Sequence, residues 1–174
     1  MKALPIIAAS LSITGAALTG TGLYMRSQET PAPAPVQDVQ TVETERGTVY
    51  TYKATVEHVV DGDTVRVHIP SFPPPFNPIA VRVDHVNTPE SRRPAPECEI
   101  VLGLRAKDYA LAVMPDGQEI TVIYDDSRQD KYGRLLARIV LPDGRDYGDS
   151  LIAAGLAKRY NGERKTEWCT DPTN

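Results

Sequence analysis

Asp-Gly occurs three times in this 174-residue chain, at 61–62, 116–117 and 143–144, and each time it ends a regular run. Glycine supplies the positive φ that a tight reversal needs, and aspartate tolerates such turns. The chain must therefore reverse at short intervals. The runs between the reversals are short and rich in Val, Ile, Thr and Tyr. Residues 49–60 and 64–69 read as strands on either side of the first Asp-Gly. Pro70 to Pro78 (PSFPPPFNP) cannot pair within a sheet and must be a loop. Residues 79–86, 119–124 and 135–141 are three further strands. Ile100, Leu104, Ala110, Leu111 and Val113 recur at near-helical spacing, which predicts a helix over 97–114 closed by Pro115-Asp116-Gly117. A shorter helix over 147–154 stops at Gly155.

The order is thus β-β-β-α-β-β-α. Five short strands with a helix between the third and fourth suit an α+β fold, a small Greek-key barrel of the OB type. Periodicity alone leaves other α+β arrangements open.

The first 28 residues differ in kind. Lys2 precedes an uncharged run from Ala3 to Tyr24, and Arg26 closes it. Its length suits a membrane anchor and its small residues suit a cleaved signal peptide. Residues 29–47 contain TPAPAPV and few apolar side chains, and read as a Pro/Ala-rich linker to a folded domain over 48–174. The expected location is extracytoplasmic: secreted, periplasmic or membrane-anchored. Cys98 and Cys169 fit that compartment, where a bridge between them is permitted. It would close a loop of about 70 residues, worth about 4 kcal/mol in the chain-entropy model.

Composition excludes a broadly basic nucleic-acid-binding surface, because the formal net charge is −4. Any nucleic acid would have to be held locally, by a few cationic side chains and a metal ion. Ser150 has no triad partners, which disfavours a serine hydrolase. His58, His68 and His85 lack ligand spacing, and two lone cysteines do not make a metal site.

Three polar segments carry the chemistry. Asp61-Gly62-Asp63-Thr64 is a turn whose second aspartate leaves the reversal and can face a cleft, where a hard cation would accept its oxygens. In RVDHVNTPE, Arg82 lies inside an otherwise apolar strand, where a charge needs a partner or a function. Glu90 follows a Thr-Pro corner that restricts the backbone before it. In Asp130-Lys131-Tyr132-Gly133-Arg134, a tyrosine lies between two cationic residues, a pattern suited to phosphate and base contacts. Each segment alone also fits a surface turn or a solvated strand edge. Together they supply acidic oxygens, one carboxylate and two arginines, the inventory of metal-assisted phosphodiester cleavage.

In order and spacing these segments resemble the staphylococcal nuclease (thermonuclease) family. The resemblance runs from about Tyr50 to Tyr160 and takes in the helix and the GLAKRY stretch ending at Tyr160. It implies that Asp63 ligates calcium, that Asn87 stands in the place of a second ligand aspartate, and that Thr88 offers its backbone carbonyl. Asp61 would be a supporting acid behind the metal. Arg82 and Arg134 would grip the phosphate, and Glu90 would orient or deprotonate the attacking water. Lys131 and Tyr132 would contact nucleotide phosphate, and Tyr160 lies near a base-stacking tyrosine. The implied activity is Ca²⁺-dependent hydrolysis of DNA and RNA by a monomer, favouring single or frayed strands and leaving 3′-phosphates. Asn87 departs from the pattern and removes one negative charge; Asp84 is the nearby carboxylate that could compensate. The rival reading is a non-catalytic OB module binding single-stranded nucleic acid, which would not need Arg82, Glu90 and Arg134 together. A third is an anchored interaction domain, whose sign would be an exposed apolar patch.

Overall fold

The computed structural model describes residues 39–126, 130 and 132–169. The strands are β1 (Val39–Thr44), β2 (Gly47–Asp61), β3 (Thr64–His68), β4 (Ile79–Val83), β5 (Val86–Asn87), β6 (Glu119–Asp125), β7 (Leu135–Val140) and β8 (Lys158–Arg159). Helix α1 (Glu97–Val113) lies between β5 and β6, and α2 (Tyr147–Ala153) follows β7.

The barrel turns on β2. Its first half pairs with β6, from Val49 opposite Asp125 to Thr55 opposite Glu119, and its second half pairs with β3. Register shifts between Val56 and His58 and between Val59 and Asp61 bend the strand, so that one strand serves two neighbours. β3 pairs with β4, β4 runs parallel to β7, and β7 returns antiparallel to β6. The ring β2-β3-β4-β7-β6 closes on β2. It is a five-stranded mixed barrel with two helices, the OB-type α+β fold expected from the strand order. Val65, Val67, Val81, Val122 and Ile139 are buried at its centre. β-Branched residues suit that position because they pack well against a pleated wall.

Three local expectations need correction. Composition places residues 29–47 in the linker, yet within that range β1 pairs with β2 from Val39 opposite Tyr52 to Thr44 opposite Gly47. β1 lies at the edge of the sheet with most of its side chains exposed, so its composition carries no core signature. The strand expected over 79–86 stops at Val83, because Asp84 and His85 form a turn with His85 at φ 59°. Val86, the last residue of that run, joins Asn87 in β5, which pairs with β8 apart from the barrel. Finally, the apolar stripe of α1 is its packing face only in part: Ala110 is buried and Val113 packs against the core. Leu104 and Leu111 of that stripe are exposed, and Gly103 and Ala106 join Ala110 on the buried side. Small residues face inward because two backbone segments of the cleft approach the helix closely there.

The Cys98 and Cys169 sulfurs lie at bonding distance, with Cα atoms 6.2 Å apart. Residues 1–28, expected to be a signal peptide or membrane anchor, and linker residues 29–38 lie outside the described residues. Among the described residues no helix is long and apolar enough to cross a membrane.

Candidate active site

The turn between β2 and β3 sets Asp63 at the mouth of the barrel. Its position is fixed from behind. Gly62 packs against α1, where an added Cβ would lie 2.7 Å from the Cβ of Ala106, and the Tyr147 hydroxyl donates to the Gly62 carbonyl at 2.6 Å. Burial pushes the Tyr147 hydroxyl far above the ordinary tyrosine value, so it acts as a fixed donor. Asp63 Oδ1 accepts from Thr64 Oγ1 at 3.1 Å, and Oδ2 accepts from the Thr88 N–H at 3.1 Å. Arg82, on the adjacent β4, forms an ion pair with Asp63 Oδ2, and both side chains are about 10% exposed. Its Nη2 donates to the Val86 carbonyl at 3.1 Å, while Nη1 meets the carboxylate without hydrogen-bond geometry. Burial, with Arg134 nearby, pulls the Arg82 guanidinium down to about 10, which leaves it cationic at neutral pH.

Arg134 enters from the loop before β7. Asp130 holds it bidentately, with Nε to Oδ2 at 2.9 Å and Nη2 to Oδ1 at 3.1 Å. The same carboxylate accepts the N–H groups of Tyr132 and Arg134, and the Arg134 bonds hold its pKa below the usual aspartate range. Arg134 Nη1 reaches Thr64 Oγ1 at 3.5 Å. A chain of contacts therefore joins Arg134 through Thr64 and Asp63 to Arg82. Tyr132 is 71% exposed, and the Arg134 guanidinium lies 5.4 Å from its ring centroid. Lys131 lies outside the described residues.

Glu90 is held by its backbone, and its half-exposed carboxylate meets Lys165 Nζ at 3.0 Å. Its N–H donates to Glu99 Oε1 of α1 at 3.1 Å. The absent side chain of Gly103 lets the helix press on it, since a Cβ there would lie 2.5 Å from the Glu90 carbonyl. One residue on, the Ser91 hydroxyl donates to Asp61 in a very short bond, and Arg92 Nη2 reaches the other Asp61 oxygen at 2.7 Å. Asp61 thus ties the Glu90 loop to the Asp63 turn.

Arg82, Glu90 and Arg134 all line one cleft of about 860 Å³, as do Asp61, Asp63 and Thr88. Tyr132 and Tyr160 line it too, Tyr160 being held by its N–H to the His85 carbonyl at 2.9 Å. His85 sits between Asp84, 3.0 Å from Nε2, and Asn161, 2.8 Å from Nδ1. The Asp84 carboxylate also accepts the His85 backbone N–H at 2.8 Å.

Asn87 is buried beside Thr88, and its Oδ1 has no hydrogen-bond partner. An orphaned buried amide oxygen is costly, and a hard cation taking oxygen donors would satisfy it. Asp63 and Thr88 line the cleft and Asn87 is not among its lining residues; their carboxylate, carbonyl and amide oxygens are donor types that Ca²⁺ takes. The set is poor in charge: no group of three His, Cys, Asp or Glu among the described residues could hold a metal.

Several positions that build this site carry no motif: Gly103, Ser91, Glu99, Tyr147 and Lys165. Only Gly103 left a local sign, a glycine inside a helical pattern, which implies a close approach.

A closed OB-type barrel with its arginines and acids gathered on one cleft defines a class of small polyanion-handling domains. The family model described as staphylococcal nuclease homologue matches residues 80–171, and the chain belongs to that family. It is similar to endonuclease YhcR of Bacillus subtilis, 33% identical over 113 residues, which are 63% of this chain and 9% of that protein. Endonuclease YncB of the same organism is 31% identical over 104 residues, 60% of this chain and 46% of that one. An uncharacterized endonuclease of Escherichia coli O157:H7 is 31% identical over 117 residues, 67% of this chain and 63% of that one. The chain thus spans under half the length of the two Bacillus proteins.

Proposed function

We propose that this protein is a nuclease that hydrolyses phosphodiester bonds in DNA and RNA with Ca²⁺ as cofactor. The observation that carries this reading is the meeting of Arg82, Arg134 and Glu90 in one cleft beside Asp63. The endonuclease names of its relatives support it.

In this mechanism Arg82 and Arg134 donate to the non-bridging oxygens of the scissile phosphate. Their fixed positions stabilise charge that grows as phosphorus becomes five-coordinate. Glu90 accepts a proton from the attacking water, whose oxygen forms the new P–O bond. The 5′ oxygen leaves with the electron pair, and the 3′-phosphate remains. Asp63, Asn87 and Thr88 would hold the cation, which when bound supplies Lewis-acid stabilisation of phosphate oxygens. Tyr132 and Tyr160 offer aromatic faces to splayed bases, which favours single or frayed strands. Lys131 would add a phosphate contact. We further propose that the protein works as a monomer outside the cytoplasm, secreted, periplasmic or membrane-anchored, where the Cys98–Cys169 pair is oxidised to a disulfide.

The test is cleavage of labelled single-stranded DNA and RNA by the whole protein in Ca²⁺ and in chelator. Cleavage only in Ca²⁺ is expected; none in either condition would refute the enzyme reading.

Asn87→Asp should lower the Ca²⁺ concentration that gives half-maximal cleavage, because it restores one negative charge to the oxygen set. Calcium titration of both proteins measures this. An unchanged or higher requirement would exclude Asn87 as a ligand.

A further inference from the structure

The chain from Tyr160 to Cys169 crosses the Glu90 side of the cleft, and its own composition does not explain why it stays there. Residues 161–167 (NGERKTE) contain no apolar side chain to bury, and all are exposed. The segment is placed by ties. At its start, Tyr160 and Asn161 bond to His85. Near its end, Lys158 Nζ donates to the Glu167 carbonyl at 2.9 Å and lies 4.3 Å from the Trp168 ring centroid. At its end, Cys169 meets Cys98 in the first turn of α1.

Lys165, in the middle, lines the cleft with its Nζ 3.0 Å from Glu90 Oε1. Both side chains are about half exposed. Such a pair contributes on the order of 0.2–1 kcal/mol, too little to hold a polar segment in place. The contact follows from the ties. An ammonium with three donors is therefore kept beside the carboxylate that must handle water. In the nuclease reading Arg82 and Arg134 address one phosphate, and a formal net charge of −4 disfavours a general basic surface to hold the rest of a strand.

We propose that Lys165 is a substrate-binding residue, contacting a phosphate next to the scissile one, and that the Cys98–Cys169 bridge keeps it within reach. The proposal rests on the nuclease reading. Lysine suits the task because it acts as a mobile point charge, able to leave Glu90 for a phosphate without a fixed bidentate geometry. Binding at Lys165 also screens the entering polyanion from Glu90.

The experiment follows binding of a fluorescein-labelled single-stranded oligodeoxynucleotide by the whole protein in chelator, across a salt series. Cleavage kinetics in Ca²⁺ are measured alongside. Lys165→Ala should weaken binding at low salt and reduce the slope of log K against log salt by about 0.7, one counterion for a single strand. Its KM should rise with kcat unchanged, and Lys165→Arg should keep the wild-type slope. Reduction with dithiothreitol should weaken the wild type by the same factor and leave Lys165→Ala unaffected. An unchanged slope in Lys165→Ala overturns the proposal, as does a raised kcat at constant KM, which would make Lys165 a brake on Glu90. A lost slope in Lys165→Ala with no effect of reduction overturns the tethering half. A wild type that neither binds nor cleaves overturns the nuclease reading itself; one that cleaves while the slope stays constant overturns only the role of Lys165.

Discussion

Glu90→Ala should cut calcium-supported cleavage by about 10²–10⁴-fold, the usual range for removing a general base. The fold should be almost untouched. The Glu90 side chain is 53% exposed, and its ion pair is with Lys165, itself 50% exposed. An exposed pair is worth at most about 1 kcal/mol. What fixes the loop is elsewhere: the Glu90 N–H on Glu99, the close approach of Gly103, and the Ser91–Asp61 bond. Loss of rate and retention of structure therefore separate cleanly. Single-turnover cleavage and a thermal melt on the same preparation measure both. Undiminished cleavage in this variant would exclude Glu90 from the chemistry.

Arg82→Met should act in the opposite way, damaging both rate and stability. The guanidinium and the Asp63 carboxylate face each other at about 10% exposure. Removing one member of a buried pair leaves the other charged and poorly solvated, at a cost of about 3–5 kcal/mol. The rate should fall by at least about 10²-fold, as expected on losing a donor aimed at transition-state charge. The stability loss should depend on Ca²⁺. If Asp63 is a cation ligand, Ca²⁺ replaces the missing positive charge, and an excess of 100 times its Kd would return about 2.7 kcal/mol. Urea unfolding in chelator and in Ca²⁺ tests this. Equal destabilisation in both solutions would show that Asp63 does not take the cation.

The barrel was legible because its strands are short, β-branched and separated by Asp-Gly and proline signals that have a local physical cause. The edge strand β1 was not, because an edge with little packing needs no apolar pattern. The packing face of α1 was misplaced in part, for a related reason. Sequence periodicity marks Leu104 and Leu111 along with Ala110, but the helix lies too close to Gly62 and Glu90 for large side chains, so Gly103 and Ala106 face inward beside Ala110. Among the site positions, Arg82 announced itself as a charge within an apolar strand. Glu90 did not, since a glutamate after Thr-Pro is ordinary until the helix behind it is known.

By itself, then, the sequence determined the strand order, the polar segments between strands, and the family resemblance that orders them. Those properties are written in neighbouring residues: turn chemistry, alternation and motif spacing. Tertiary structure alone decided that Asp130 holds Arg134, that Asp61 secures the loop after Glu90, that Asn87 Oδ1 is left without a partner, and that the tied tail sets Lys165 against Glu90. Most of these depend on groups far apart in the chain, and those around Asp61 and Asn87 meet where water is partly or wholly excluded. There, the loss of water gives an unpaired oxygen or a paired charge an energetic weight that no local pattern records.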